Sequence, residues 1–381
     1  MNTLLGLPKD LRCRILEMVV LGSQANPQVL RVCRQIHEEA EPLVYQRPQV
    51  FDSQTEMFSW LAQADWRHLH HVHTLKLRLQ DLEISLVEED VEPLPRLTMP
   101  DRYDEELEQL DKALLQLPNI KDLCLCKTAL VRNPEMYNNL YRQALGNIAR
   151  WWPQLKSVSF NGDEHPLSFV KSTQEIEKLR FTGFSTSTPM ETEAVFSRLR
   201  HLREIEIILP LTAYVADTLK KTDRPPSSQS LTRQVVKNMR GLKTFIIRDT
   251  FSWPIQCPAF FTPEFLQALD AAHRASLRTL NVWLDFKPES GGEKALYSLL
   301  VSSAIKHLSL LWPGFDGEVL EHLPKSIVTL RLPLREEQPL EHLLKGIVKK
   351  KGDLPSLRKM TAVVICREDH NGSSRQVRSY P

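Results

Sequence analysis

The densest group of potential metal ligands in the chain is His68-x-His70-His71-x-His73. A zinc-type site needs three or four such donors converging on one point. If a strand is entered at Val72, alternation sends His71 and His73 to one face and His70 to the other, so a solvated strand edge is the default. No metal is assigned. Cys124-x-Cys126 puts two thiols on one strand face, yet no second cysteine or histidine pair lies at zinc spacing. The chain contains no G-x-G-x-x-G, no P-loop, no G-x-S-x-G and no H-E-x-x-H. Gly291-Gly292 precedes a helix at Glu293, whose first turn is a potential anion site, but a plain loop fits as well. The chemistry carried by these residues is that of binding: the chain is expected to be non-catalytic and to hold no cofactor. Trp283 and Trp312, just past repeated segments described below, have the character of partner anchors.

Composition narrows the class further. The chain has 381 residues, enough for two or three domains. A net charge of +2 gives no field strong enough to argue for nucleic acid or an anionic membrane. Six scattered cysteines are too few for a disulfide framework at this length, which points to reduced thiols and a cytoplasmic or nuclear protein. No signal peptide is evident at the N-terminus, and no apolar run approaches the roughly 20 residues of a membrane span. Against only 13 glycines stand 25 prolines, which suits many short elements with punctuated starts.

The elements that would position any binding residue come from a repeat. The template apolar-x-x-apolar-x-apolar recurs at 72–77, 120–125, 155–160, 176–181, 202–207, 242–247, 277–282, 305–310 and 327–332, and more weakly at 357–362. Successive units start 21 to 48 residues apart, partly within the range of leucine-rich repeats. The last four residues of each unit alternate as a half-buried strand does. Amphipathic stripes lie between units: Leu107, Leu110, Leu114 and Leu117; Tyr137, Tyr141, Ala144 and Ile148; Phe265, Leu269 and Ala272 after Thr262-Pro263-Glu264; Leu296, Leu299 and Leu300; and Leu340, Leu343, Leu344 and Ile347. No unit buries its own face, so neighbours must stack. The expected fold class is α/β: an irregular leucine-rich-repeat solenoid with parallel strands on the concave side and helices on the convex side. The alternative is a compact α/β domain of βαβ units. Irregularity is expected because the usual turn Asn is missing almost throughout, with Asp163 and Asp285 at its place twice.

Outward positions of the hexamers name the candidate substrate contacts: Lys76, Arg78, Arg180, Glu206, Arg248, Asn281, Trp283, His307 and Arg331. Both signs are mixed, which suits a protein partner better than nucleic acid. Two insertions, Gln80–Asp104 with its acidic run and Leu209–Ser230, interrupt the array. The polar tail 367–381 is expected to be disordered.

Before the array, Leu11, Ile15, Met18 and Val19 recur at helical spacing after Pro8, and Gly22-Ser23 stops that helix. Pro27 restarts the chain, with Val29, Cys33, Ile36 and Ala40 as a second stripe. Pro42 is expected to begin a third helical piece carrying Leu43 and Tyr45. Three short helices bury too little to stand alone, so they must cover the repeats, meet a partner, or both.

The run Leu7-Pro8-Lys9-Asp10-Leu11-Arg12-x-x-Ile15-Leu16, with Leu30-x-Val32-Cys33-Arg34 and the Tyr45 to Phe51 pattern, resembles an F-box, most of all the F-box-like segment of fungal proteins. It differs from the ordinary pattern in a short link between the first two helices and in Ile36-His37 where the family carries Trp. Followed by repeats, the chain is similar to the F-box proteins with leucine-rich repeats. The resemblance implies a substrate-recognition adaptor of a cullin–RING ubiquitin ligase. Its N-terminal helices would bind a Skp-type adaptor through Leu7, Pro8, Leu11, Ile15, Leu16, Leu30, Val32 and Cys33, and the repeat face would bind an unidentified protein substrate. The implied organisation is an F-box-like segment over 1–51, a connecting helix or linker over 52–71, repeats over 72–366 and a tail. The alternative is a ligase-independent scaffold whose N-terminal helices only cap the repeats.

Overall fold

Each repeat hexamer forms a strand, and each strand starts at the hexamer's third residue. The computed structural model describes residues 4–22, 31–82, 98–128, 131–162, 165–182, 187–209, 232–249, 261–284, 287–288, 290–312, 318–334, 354–365 and 377–380. They fall into two compact units, Met1–Phe160 and Asn161–Pro381, and this division lies inside the repeat array.

In the first unit, β1 (Gln49–Phe51), β2 (Thr74–Leu79), β3 (Asp122–Lys127) and β4 (Ser157–Asn161) lie side by side in chain order, all parallel. The register repeats in steps. The Lys121 carbonyl accepts from the N–H groups of both Lys156 and Ser157, and the His73 carbonyl accepts likewise from Lys121 and Asp122. Leu75, Leu77 and Leu79 are buried while Lys76 and Arg78 are exposed, as a sheet with one solvated face requires.

Helices α1 (Lys9–Leu21) and α2 (Arg34–Gln46) precede the sheet, and α3 (Gln54–Gln63) and a 3₁₀ helix at Trp66–His71 lead from β1 to β2. Helices α4 (Met99–Leu114) and α5 (Pro134–Trp151) follow β2 and β3. From α5, Tyr137 donates its hydroxyl to the Leu79 carbonyl at 2.7 Å and Tyr141 donates to the Leu125 carbonyl at 2.8 Å. These buried hydroxyls satisfy strand carbonyls that would otherwise be costly to bury.

The second unit contains β5 (Lys178–Thr182), β6 (Glu204–Leu209), β7 (Thr244–Asp249), β8 (Thr279–Leu284), β9 (His307–Leu311), β10 (Thr329–Leu334) and β11 (Lys359–Ile365), consecutive and parallel. Between them run α6 (Pro189–Phe196), α7 (Arg233–Asn238), α8 (Pro263–His273) and α9 (Ser290–Ser302), with a 3₁₀ turn at Glu318–His322 and another, Leu167–Ser172, before β5. Proline abundance has a local cause: α4, α5, α6 and α8 each carry Pro in the first two positions, behind a Thr or Asn that caps a backbone N–H. Before β7, Gly241 has φ +64, a conformation that favours glycine, and an added Cβ would meet Arg203 Nη1 at 2.9 Å.

Four expectations need correction. Pro42 does not begin a third helix but lies inside α2, so among the described residues the N-terminal segment has two α-helices; its ring fits helical φ and only one backbone bond is given up. The segment also ends in a strand, β1, paired with β2. The tail is not wholly irregular: β12 (Val377–Tyr380) pairs antiparallel with β11 and satisfies its free edge. Ala272 is exposed, so the buried stripe of α8 is Phe265, Leu266, Leu269 and His273. The stripe Leu340–Ile347, the whole of 210–231, Asp163 and Asp285 lie outside the described residues.

Candidate interaction surfaces

Helix α1 carries apolar side chains on two faces. Leu16 and Val20 are buried with Ile36, Ala40 and Leu43 of α2, and Leu4, Cys33 and Val44 pack against that cluster. Arg12, on the same side, is nearly buried and grips Glu39 with a two-pronged contact, Nε to Oε2 at 3.0 Å and Nη2 to Oε1 at 2.5 Å. Its Nη1 donates to the Leu7 carbonyl at 2.5 Å, tying the Leu7-Pro8 entry to α2. The Arg12 hydrogen bond holds the Glu39 carboxyl well below the usual carboxylate range, at about 2. On the other face Leu11 is 48% exposed, Met18 69% exposed and Ile15 half-buried, a spacing of four and three residues that forms one stripe. Val32, 68% exposed, lies just before α2.

Of the residues expected to meet an adaptor, Pro8, Leu11 and Val32 are exposed, and Leu7, Ile15 and Cys33 are half-buried. Leu16 is fully buried and cannot meet a partner, because it fills the space between α1 and α2. Leu30 lies outside the described residues. Sequence reading did not name Met18 as a contact residue, although it lies on the same outward stripe as Leu11 and Ile15.

On the sheet of the first unit, Lys76 is exposed, and Arg78 pairs with Asp52 at 3.0 Å with both side chains largely in water, a contact worth little. Cys124 and Cys126 stand beside them in register, with Sγ atoms 3.5 Å apart. The hydrogen bond to Cys124, together with burial, pushes the Cys126 thiol up, away from the thiolate needed of a nucleophile or metal ligand.

The sheet of the second unit divides by charge. Across β5, β6 and β7, Arg180 and Glu206 are register partners 3.5 Å apart, and Arg248 reaches Glu206 at 3.2 Å from the other side. Lys178 stands 3.8 Å from Glu204 in the row above. Glu206 is only 9% exposed, so the carboxylate expected to meet a substrate is ion-paired with two arginines instead, although its Oε1 has no hydrogen-bond partner. Across β8 to β11 the pattern changes. Asn281, Ser309, Arg331 and Thr361 form one row and Thr279, His307, Thr329 and Lys359 the next. Together they line an open groove of about 280 Å³ with no carboxylate among the described residues that line it. His307 Nδ1 and Thr329 Oγ1 are 2.8 Å apart. Trp283 lies in register between Arg248 and Leu311, half-buried beside this groove. Lys359 and Thr361 were missed as candidates, although the weak tenth hexamer puts them at its outward positions.

The histidines of 68–73 do not converge. His70 and His71 are tilted against each other at 3.9 Å between ring centroids, His68 and His71 stack at 6.0 Å, and burial lowers the His71 pKa. The donors that do approach are Glu41, Asp65 and His68, within 4.8 Å of one another. Asp65 is already held by Arg67, whose Nε lies 3.0 Å from both carboxylate oxygens, and this keeps its pKa near 2. No helix among the described residues is long and apolar enough to cross a membrane.

No family model and no curated protein matches the chain. Among solved structures it is similar to a protein from Bacteroides fragilis, at 10% identity and a TM-score of 0.35, over 85% of this chain and 76% of that one. It is also similar to a chain of the yeast Rad7 and Elc1 complex, at 11% identity and a TM-score of 0.32, over 92% of each. Likeness at this level assigns neither family nor function. The described chain itself is an α/β repeat protein with successive parallel strands and an apolar, unpaired stripe on its first helix.

Proposed function

We propose that the chain is a non-catalytic substrate-recognition adaptor, which docks on a Skp-type adaptor of a cullin–RING ubiquitin ligase through its N-terminal helices and binds a protein substrate on its sheet face. The observation that carries this reading is the outer stripe of α1. Leu11, Ile15 and Met18 form an apolar strip in which Leu11 and Met18 are exposed and Ile15 half-buried among the described residues, while a separate strip already does the packing. Isolated exposed apolar residues mean little, but a contiguous stripe on a helix fits a helix-packing partner. The identity of that partner comes from the resemblance of Leu7-Pro8 and Val32-Cys33-Arg34 to the F-box pattern.

Co-purification with a Skp-type adaptor tests it. Association is expected for the full chain and loss of it for Leu11→Glu/Met18→Glu. A full chain that never co-purifies would sink the ligase reading. The capping alternative also has an observation in its favour: β1 pairs with β2, and the Tyr45 hydroxyl accepts from the Asp65 N–H at 3.1 Å, so the N-terminal segment is tied into its unit. The two differ in outcome, because a cap that only covers the repeats tolerates charge on the outer stripe of α1 without losing any partner.

A further inference from the structure

The two halves of the second unit's sheet face use the same register differently. In the row through Arg180, the next strand supplies Glu206 as the arginine's neighbour. In the row through Arg331, the register neighbour on β9 is Ser309, a small side chain where a carboxylate would complete the pair. Arg331 has no ion pair among the described residues. Its Nε is buried without a hydrogen-bond partner, and so is Ser309 Oγ. Lys359, one strand further and one row up, has no ion pair either. Arg331 as a whole is half-buried, but buried polar atoms left unpaired, such as its Nε and the Ser309 Oγ, cost free energy. Among the described residues the groove thus has donors in place and no acidic side chain to accept from them.

We infer that this groove binds the carboxylate of an acidic side chain from an extended peptide segment of a protein partner. The carboxylate would sit over Ser309, taking hydrogen bonds from the Arg331 guanidinium and the Ser309 hydroxyl, with Lys359 supplying a second positive charge and Asn281 a neutral donor. Its position would correspond to that of the Glu206 carboxylate beside Arg180. The volume of about 280 Å³ suits one or two side chains and is open along the sheet. Two permanent cations and a chain net charge of +2 do not make a track for a nucleic-acid backbone. The inference deepens the reading of the sheet face as the substrate surface and rests on it, but it is independent of how the N-terminal helices dock.

The test uses the full chain without any adaptor, and a fluorescein-labelled heptapeptide in which glutamate alternates with serine. The control peptide has glutamine for glutamate. Fluorescence anisotropy should show binding of the glutamate peptide, at least roughly tenfold weaker binding of the glutamine peptide, and weakening with added salt. Arg331→Gln and Lys359→Gln should each weaken the glutamate peptide by roughly fivefold or more, while Arg180→Gln, whose partner is internal, should stay within about twofold. Lys359 is exposed, so its variant remains informative if Arg331→Gln melts early. Equal affinity for both peptides, no binding of the glutamate peptide, or equal losses in Arg180→Gln and Lys359→Gln would overturn the inference. Failure of adaptor docking leaves these measurements unchanged, so the two proposals fail separately.

Discussion

The inner and outer faces of α1 are built from the same kinds of residue and have opposite fates. Leu16 and Val20 are sealed against α2, and Arg12 beside them is locked to Glu39. Leu11 and Met18, a fraction of a turn away, are in water. This thirteen-residue helix therefore has more apolar surface than the described residues of its unit cover. The inner face accounts for stability, and the outer face needs another explanation. Surplus apolar stripes on a short helix are what a partner-binding element requires and what a mere cap does not.

Substitutions on the two faces should separate these roles. The largest stability loss is expected from Leu16→Ala, about 2–5 kcal/mol by denaturant unfolding, because a fully buried leucine leaves a cavity between α1 and α2. A loss as small as that at the surface would mean the inner face is not the packed one. Next comes Arg12→Gln, expected to lower the melting temperature clearly, since it removes the charged donor of the Glu39 carboxylate, leaving it only Gln35 Nε2 at 3.3 Å, and takes the Arg12 donor from the Leu7 carbonyl. The same pair has a pH signature. The folded-state pKa of Glu39 is depressed from the usual 4.5 to about 2, so its stabilisation is fully present above about 4.5 and is lost as pH falls toward 2. The melting-temperature difference between wild type and Glu39→Gln should therefore shrink over that window; a difference constant from pH 6 to 2 would contradict the assignment. Smallest of all, Leu11→Glu/Met18→Glu should change stability by no more than about 0.5 kcal/mol per site, as exposed substitutions do.

How far these features could be read from the sequence depends on their range. All ten hexamers correspond to strands with one common offset, because apolar alternation is local and repeats. β1 and β12 carry no hexamer; pairing with a neighbouring edge makes them strands. Both stripes of α1 have helical spacings, four and four on one and four and three on the other, so periodicity alone could not say which one is buried; only the position of α2 decides. Glu206 looked like an outward acid, and so it is by alternation, but arginines on the two flanking strands close over it. Arg12 and Glu39, 27 residues apart, were not legible as a pair at all. The groove over β8 to β11 was half legible: Asn281, His307 and Arg331 stood out by position, whereas the missing counter-charge appears only once four strands are in register.

The most direct measurement is titration calorimetry of a purified Skp-type adaptor into the full chain and into Leu11→Glu/Met18→Glu. The account expects saturable binding to the wild-type chain and a loss of roughly a hundredfold or more in the variant, with both proteins melting alike, since burying two charges in an apolar contact is strongly unfavourable. Equal binding by the two, or none by the wild-type chain, would contradict it.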